Sequence, residues 1–162
     1  HEAEKRAITV AAVQGHSICF VGPEAELCRD LAYQAGVAAV AVAAPALPAT
    51  AAATAKLIET MRKYDLHCEA PLSPAKYQSP CYPRGTTLEQ TLERVKAAKL
   101  PATDALSETA ASLMLQFTRE FGTTADVQSL MRQIGRSIAA LGGETAIDVS
   151  SIAEACCYRL DR

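Results

Sequence analysis

The stretch His16-Ser17-Ile18-Cys19-Phe20-Val21-Gly22-Pro23-Glu24-Ala25-Glu26-Leu27-Cys28-Arg29 decides the fold. An apolar run ending at Gly22 predicts a short buried strand over 17–21, a tight turn, and a helix over 23–35 that starts on Pro23. A strand running through a glycine turn into a helix is where a phosphate-binding loop sits. That loop needs a second glycine so that backbone N–H groups close around phosphate, then a lysine and a hydroxyl for charge and Mg²⁺. Counted from Gly22, the second glycine falls on Leu27, the lysine on Cys28 and the hydroxyl on Arg29. Glu24 and Glu26 set carboxylates where phosphate oxygens would lie, at the same helix N-terminus. Gly22, Pro23, Cys28 and Arg29 are therefore the candidate nucleotide-site positions, read as a degenerate loop.

Working outward, residues 2–14 read as a helix with Ala3, Ala7, Val10 and Ala11 on one face and Glu4, Lys5 and Arg6 in water, stopped by Gly15. Residues 37–43 form a second apolar run between Gly36 and Pro45, whose length and flanks favour a strand while its alanines leave a helix open. Residues 49–63 follow as a helix with Ala53, Leu57 and Met61 at intervals of four, and 65–70 as a third strand. Strand, helix, strand, helix, strand implies right-handed crossovers and a parallel sheet. Residues 71–85 hold four of the eight prolines and read as an extended connector, in which Tyr77 and Tyr82 are read as solvated. Beyond it every segment is helical. Thr87 with Gln90 forms a capping box ahead of Leu88, Leu92 and Val95. Ser107 opens the next helix, ended by Gly122. Thr123 or Thr124 opens a long one through Val127, Leu130, Met131, Ile134, Ile138 and Leu141, ended by Gly142-Gly143, and Asp148 opens the last. The expected fold class is α/β plus α: a three-stranded parallel sheet with flanking helices, then a helical bundle. The chain divides into an α/β unit over 1–72, a linker over 73–86 and the bundle over 87–162.

At 162 residues the chain can bury a real core, and with no Trp and many alanines that core is expected to be small-residue and helix-dominated. A net charge of −2 gives no electrostatic case for nucleic acid or a membrane surface. No apolar run reaches the ~18–20 residues that span a bilayer. No signal-peptide pattern opens the chain, and a first residue other than methionine reads as a piece of a longer protein. The six cysteines include no C-x-x-C and the three histidines lack ligand spacing, so the expectation is no metal and reduced thiols in the cytoplasm. Cys28 at a helix start is a weak nucleophile because Glu24 and Glu26 oppose the thiolate. Cys156 and Cys157 read as one buried and one half-exposed thiol, His67 as structural, and Arg136 as a salt-bridge partner within the bundle.

Several segments together resemble magnesium-chelatase-like AAA+ ATPases, most closely the competence-linked (ComM-type) DNA-branch-migration branch. They are His1-Glu2-Ala3-Glu4-Lys5-Arg6-Ala7 with Ala11-Ala12 and Gly15-His16, then Asp65-Leu66-His67-Cys68-Glu69-Ala70-Pro71, then Arg84-Gly85 through Glu93-Arg94-Val95. Leu106 to Glu108, Phe121-Gly122, Arg136-Ser137-Ile138-Ala139, Ile152-Ala153-Glu154-Ala155 and Tyr158-Arg159 resemble the family's C-terminal helical lid. The matches keep the family's order over almost the whole chain.

What the resemblance implies is a sheet that retains family strands 5-1-4 and lacks strands 2 and 3, with the run 37–43 as a new edge. By the same comparison the Walker B acids have no counterpart, and Ala44 stands at the sensor-1 asparagine. Asp126 stands at the sensor-2 arginine, and Lys63 replaces an arginine before the third strand. Phosphoryl transfer depends on positioning and charge stabilisation, and these departures remove both. The resemblance therefore implies a non-hydrolysing, truncated protein with no cofactor. Its role would be an assembly or regulatory module engaging a protein partner or a second copy through the 37–43 edge or the lid. Two alternatives stand beside it. One is an ATP- and Mg²⁺-binding ring subunit. The other is a small-ligand binder reusing the crevice beyond Gly22 and Ala44, where parallel sheets hold ligands.

Overall fold

The central strand β1 (Ile18–Val21) pairs in parallel with β2 (Ala39–Val42) on one side and β3 (Leu66–Glu69) on the other, so the sheet order is β2-β1-β3. Ile18 lies in register with Ala39 and Leu66, and Val21 with Val42 and Glu69. The computed structural model describes residues 2–43, 50–73 and 85–161. Seven helices accompany the sheet among these residues: α1 (Glu2–Gln14), α2 (Ala25–Gln34), α3 (Ala51–Met61), α4 (Leu88–Ala97), α5 (Glu108–Phe121), α6 (Ala125–Gly142) and α7 (Val149–Cys157). The expected parallel sheet and helical second half are both present. Most of the connector around Tyr77 and Tyr82, and also Ala44, lies outside the described residues.

Strand alternation puts Ile18, Phe20, Ala39, Leu66 and Cys68 on one face. There they pack with Ala7, Ile8, Val10 and Ala11 of α1 and with Ala25, Cys28 and Ala32 of α2. Ile134 and Ile138 of α6, Ala155 of α7 and Tyr158 join the same cluster, so it draws side chains from both halves of the chain. A second cluster unites Ala110, Met114 and Phe117 of α5 with Met131, Ile147, Ile152 and Cys156. Gly135 lets α6 and α7 approach: a Cβ there would stand 3.0 Å from Ile152 Cδ1 and 3.2 Å from Ile147 Cγ2. No helix among the described residues is long and apolar enough to cross a membrane.

Local capping chemistry accounts for the helix boundaries. Thr87 and Gln90 make a reciprocal capping box, with Thr87 N–H donating to Gln90 Oε1 at 3.0 Å. Ser107, Thr124 and Asp148 each accept a backbone N–H three residues on. Gly122 and Gly143 close α5 and α6 in the left-handed conformation.

Two expectations change. On α1, Glu4 is buried at 5% exposure while Ala3 is exposed. The helix is covered by the sheet, α4 and α6 together, so its buried arc is wider than one stripe and takes in Glu4 and Thr9. On α3, Ala53 is exposed and the half-buried stripe is Thr54, Leu57 and Ile58, leading to buried Met61.

Candidate functional site

The β1–α2 loop turns on Gly22, whose φ of +139° is open to glycine and costly for other residues. A Cβ on Gly22 would meet the Ala70 carbonyl oxygen at 2.5 Å. The loop therefore lies directly against the exit of β3. Its backbone donors are turned onto the protein's own carbonyls. Gly22 N–H donates to Val42 O at 3.0 Å, Glu24 N–H to Ala70 O at 3.1 Å, and Ala25 N–H to Gly22 O at 3.2 Å. Pro23 has no N–H to offer. In a phosphate-binding loop such amides converge on the anion; here these three are engaged within the fold.

The Glu24 carboxylate adds a negative charge to the same loop and is itself tied down. It accepts the Ser73 backbone N–H at 3.1 Å on Oε1 and the Ser73 hydroxyl at 3.0 Å on Oε2. Ser73, on the far side of β3, was not singled out by sequence, because nothing local links positions 24 and 73.

Cys28, at the lysine position, is fully buried in the main core cluster. Its thiol is pushed up to about 12, first by burial and then by the Glu4 and Glu24 carboxylates. Burial thus dominates where sequence pointed to Glu24 and Glu26, and Glu26 is instead paired with Arg29 at 2.6 Å. Arg29, at the hydroxyl position, also pairs with Asp30 at 2.9 Å and lies 5.8 Å from the Tyr33 ring centre. Its guanidinium is engaged along the surface of α2. Gly22, Pro23 and Glu24 belong to one loop; Cys28 points into the core and Arg29 sits on the outer surface.

The remaining positions are spread through the fold. Asp126 is exposed in the first turn of α6, and Lys63 lies 3.9 Å from Glu59 on the surface. Arg136 gives its Nε–H to the Pro101 carbonyl at 2.9 Å, which replaces the salt bridge expected for it. Cys156 is buried and Cys157 exposed. Among the described residues no group of three His, Cys, Asp or Glu side chains is placed to hold a metal ion. Among the described residues, clefts lie away from the loop. One is an open groove on α5 lined by Ser112, Leu115, Gln116, Arg119 and Glu120, and another a small apolar recess between Ile8, Leu31 and Leu88.

A denser polar cluster lies at the outer edge of β3. His67 is fully buried; its Nε2 faces Met61 O at 2.7 Å and its Nδ1 accepts the Leu160 N–H at 3.2 Å. Arg159 reaches Asp65 O at 3.2 Å and Asp161 Oδ2 at 2.6 Å. At the other edge, Ile18 and Gly22 donate to the carbonyls of Ala38 and Val42, so the alternating Ala39 and Ala41 face away from β1. The Tyr33 hydroxyl donates to Ala39 O at 2.8 Å. With this geometry in place, comparison of the sequence with protein-family models finds no match, and comparison with curated proteins finds none either.

Proposed function

We propose that the chain is a truncated, non-hydrolysing relative of magnesium-chelatase-like AAA+ proteins that works as an assembly or regulatory interaction module. The observation that carries this reading is the committed loop. The amides of Gly22, Glu24 and Ala25 bond to protein carbonyls, and the Glu24 carboxylate bonds to Ser73. Among the described residues, a triphosphate approaching that loop meets negative charge and neither a lysine nor a metal-ligand pair, which leaves its own charge uncompensated. The sheet order β2-β1-β3 is compatible with a family sheet reduced to strands 5-1-4, and the run of helices α4 to α7 after the sheet supports reading the second half as a lid.

Under this reading β2 is the association edge, presenting the outward backbone of Ala41 to a protein partner or a second copy, beside Ala39, whose carbonyl already accepts the Tyr33 hydroxyl. Light scattering on the purified chain, with and without the edge-blocking Ala41→Pro substitution, tests it. An associated species that the substitution dissociates is expected, since proline on an edge strand removes an outward N–H without breaking the inner ladder. A strictly monomeric protein at every concentration contradicts self-association. Stabilisation by ATP·Mg²⁺ contradicts the closed loop on which this reading rests.

A further inference from the structure

We propose that His67 is a pH-operated catch that holds the segment Tyr158 to Asp161 against the outer edge of β3, and that protonation of its ring releases that segment. The inner edge of β3 is paired with β1, through Leu66 N–H to Ser17 O and Ala70 N–H to Val21 O. The backbone of His67 consequently faces outward, and its N–H donates to Tyr158 O at 2.8 Å. The ring of the same residue accepts the Leu160 N–H on Nδ1 at 3.2 Å. One side chain and its backbone thus make two of the bonds that hold the segment.

The neutral ring is fully used. With its proton on Nε2 it donates to Met61 O at 2.7 Å and keeps Nδ1 open as the acceptor for Leu160. A second proton has one place to go, Nδ1, where it faces the Leu160 N–H donor to donor and ends that bond. The charged neighbours bear on this step from each side. Asp161 Oδ1 lies 3.3 Å from Nδ1 and favours the imidazolium, a contact to the segment that protonation strengthens and that opening has to break. Its carboxylate is already shared with Arg159 at 2.6 Å and approached by Arg62 at 3.8 Å. Arg159 opposes the added charge from within the segment. Cys19, in register with His67 on β1, stays neutral, its thiol pushed up to about 11 by burial.

A charged ring at 0% exposure is costly, and the protonated state escapes that cost by letting the segment open to water. The docked state has a second weak point. Arg159 Nε is buried and has no hydrogen-bond partner among the described residues. Burial and Arg159 hold His67 below the ordinary histidine value, so release belongs on the acid side of neutrality.

The test is an NMR titration of the full, ¹⁵N-labelled chain from pH 8 to pH 5, following the His67 ring and the amides of His67 and Leu160. The expected result is one shared midpoint for all three. Between about pH 6.5 and that midpoint, amide protection, corrected for intrinsic exchange, should fall by about tenfold per pH unit and then level off. Amides of β1 should keep their protection, and Asp161→Asn should move the midpoint to lower pH. Leu160 protection that is equal at pH 8 and pH 5 overturns the proposal. So does a Leu160 change without titration of the ring, or loss of β1 protection at the same midpoint, which would be global unfolding.

Discussion

The carboxylate of Glu24 accepts both the backbone N–H and the hydroxyl of Ser73, at 3.1 and 3.0 Å, and so ties the β1–α2 loop to the chain leaving β3. This pair occupies the turn where a phosphate-binding loop would receive an anion. Removing it with Glu24→Ala should cost about 1–2 kcal/mol, the scale of hydrogen bonds to a half-buried charged acceptor. It should not create nucleotide affinity, because the Gly22 and Glu24 amides remain bonded to Val42 and Ala70. Denaturant midpoints and a nucleotide thermal-shift assay check both halves. Nucleotide binding in Glu24→Ala would mean the carboxylate alone closes the site.

Gly22 is fixed by two constraints at once, a φ of +139° and an Ala70 carbonyl 2.5 Å from where a Cβ would stand. Gly22→Ala should therefore destabilise by about 2–4 kcal/mol, combining backbone strain with overpacking against backbone that cannot rotate away. Thermal unfolding measures it. A melting temperature equal to that of the parent would show that β1 and β3 do not approach as described.

Placing a lysine at the position where a phosphate-binding loop carries one should fail. Cys28 is 0% exposed in a small-residue cluster, so Cys28→Lys forces a longer, charged side chain into packed core and should destabilise severely even with the Glu4 and Glu24 carboxylates nearby. In the parent chain the thiols of Cys19, Cys28 and Cys68 are pushed up to about 11, 12 and 12 by burial. Peptide-mapped alkylation at pH 8 should label exposed Cys157 well before these three. Rapid labelling of Cys28 would contradict its place in the core.

Stability should fall as pH drops below neutrality. His16 and His67 are both held below the ordinary histidine value of 6.5, His16 by burial and His67 by burial and Arg159. The unfolded chain then binds more protons than the folded one, so stability rises with pH. It is fully present above about 6.5 and is lost progressively as pH falls toward the depressed folded values. Urea midpoints at pH 7.5, 6.5 and 5.5 should decrease in that order. A flat or rising series would contradict the neutral, buried state of these rings.

Much of the architecture was legible because its causes are local. The capping box of Thr87 and Gln90, the caps at Ser107, Thr124 and Asp148, and the terminating Gly122 and Gly143 act within a few residues. The strands show as short apolar runs beside Gly22 and Gly36. What escaped depends on contacts between distant positions. Arg6 makes a bidentate pair with Glu154, 148 residues away, and Leu160 meets His67 across 93 residues. Glu4 looked solvent-facing because a helical wheel does not reveal that α4 and α6 also cover α1. The candidate loop positions were visible as a pattern, whereas the Ser73 and Ala70 contacts that fill the loop follow from the sheet register.

Under the proposed function the β1–α2 loop does not receive a triphosphate. Calorimetric titration of the full chain with ATP·Mg²⁺ tests it most directly. The predicted result is no saturable heat and an unchanged melting temperature. Saturable binding near 1 μM, a free energy of about −8 kcal/mol, lost in a variant altered at residues 22–29, would contradict it.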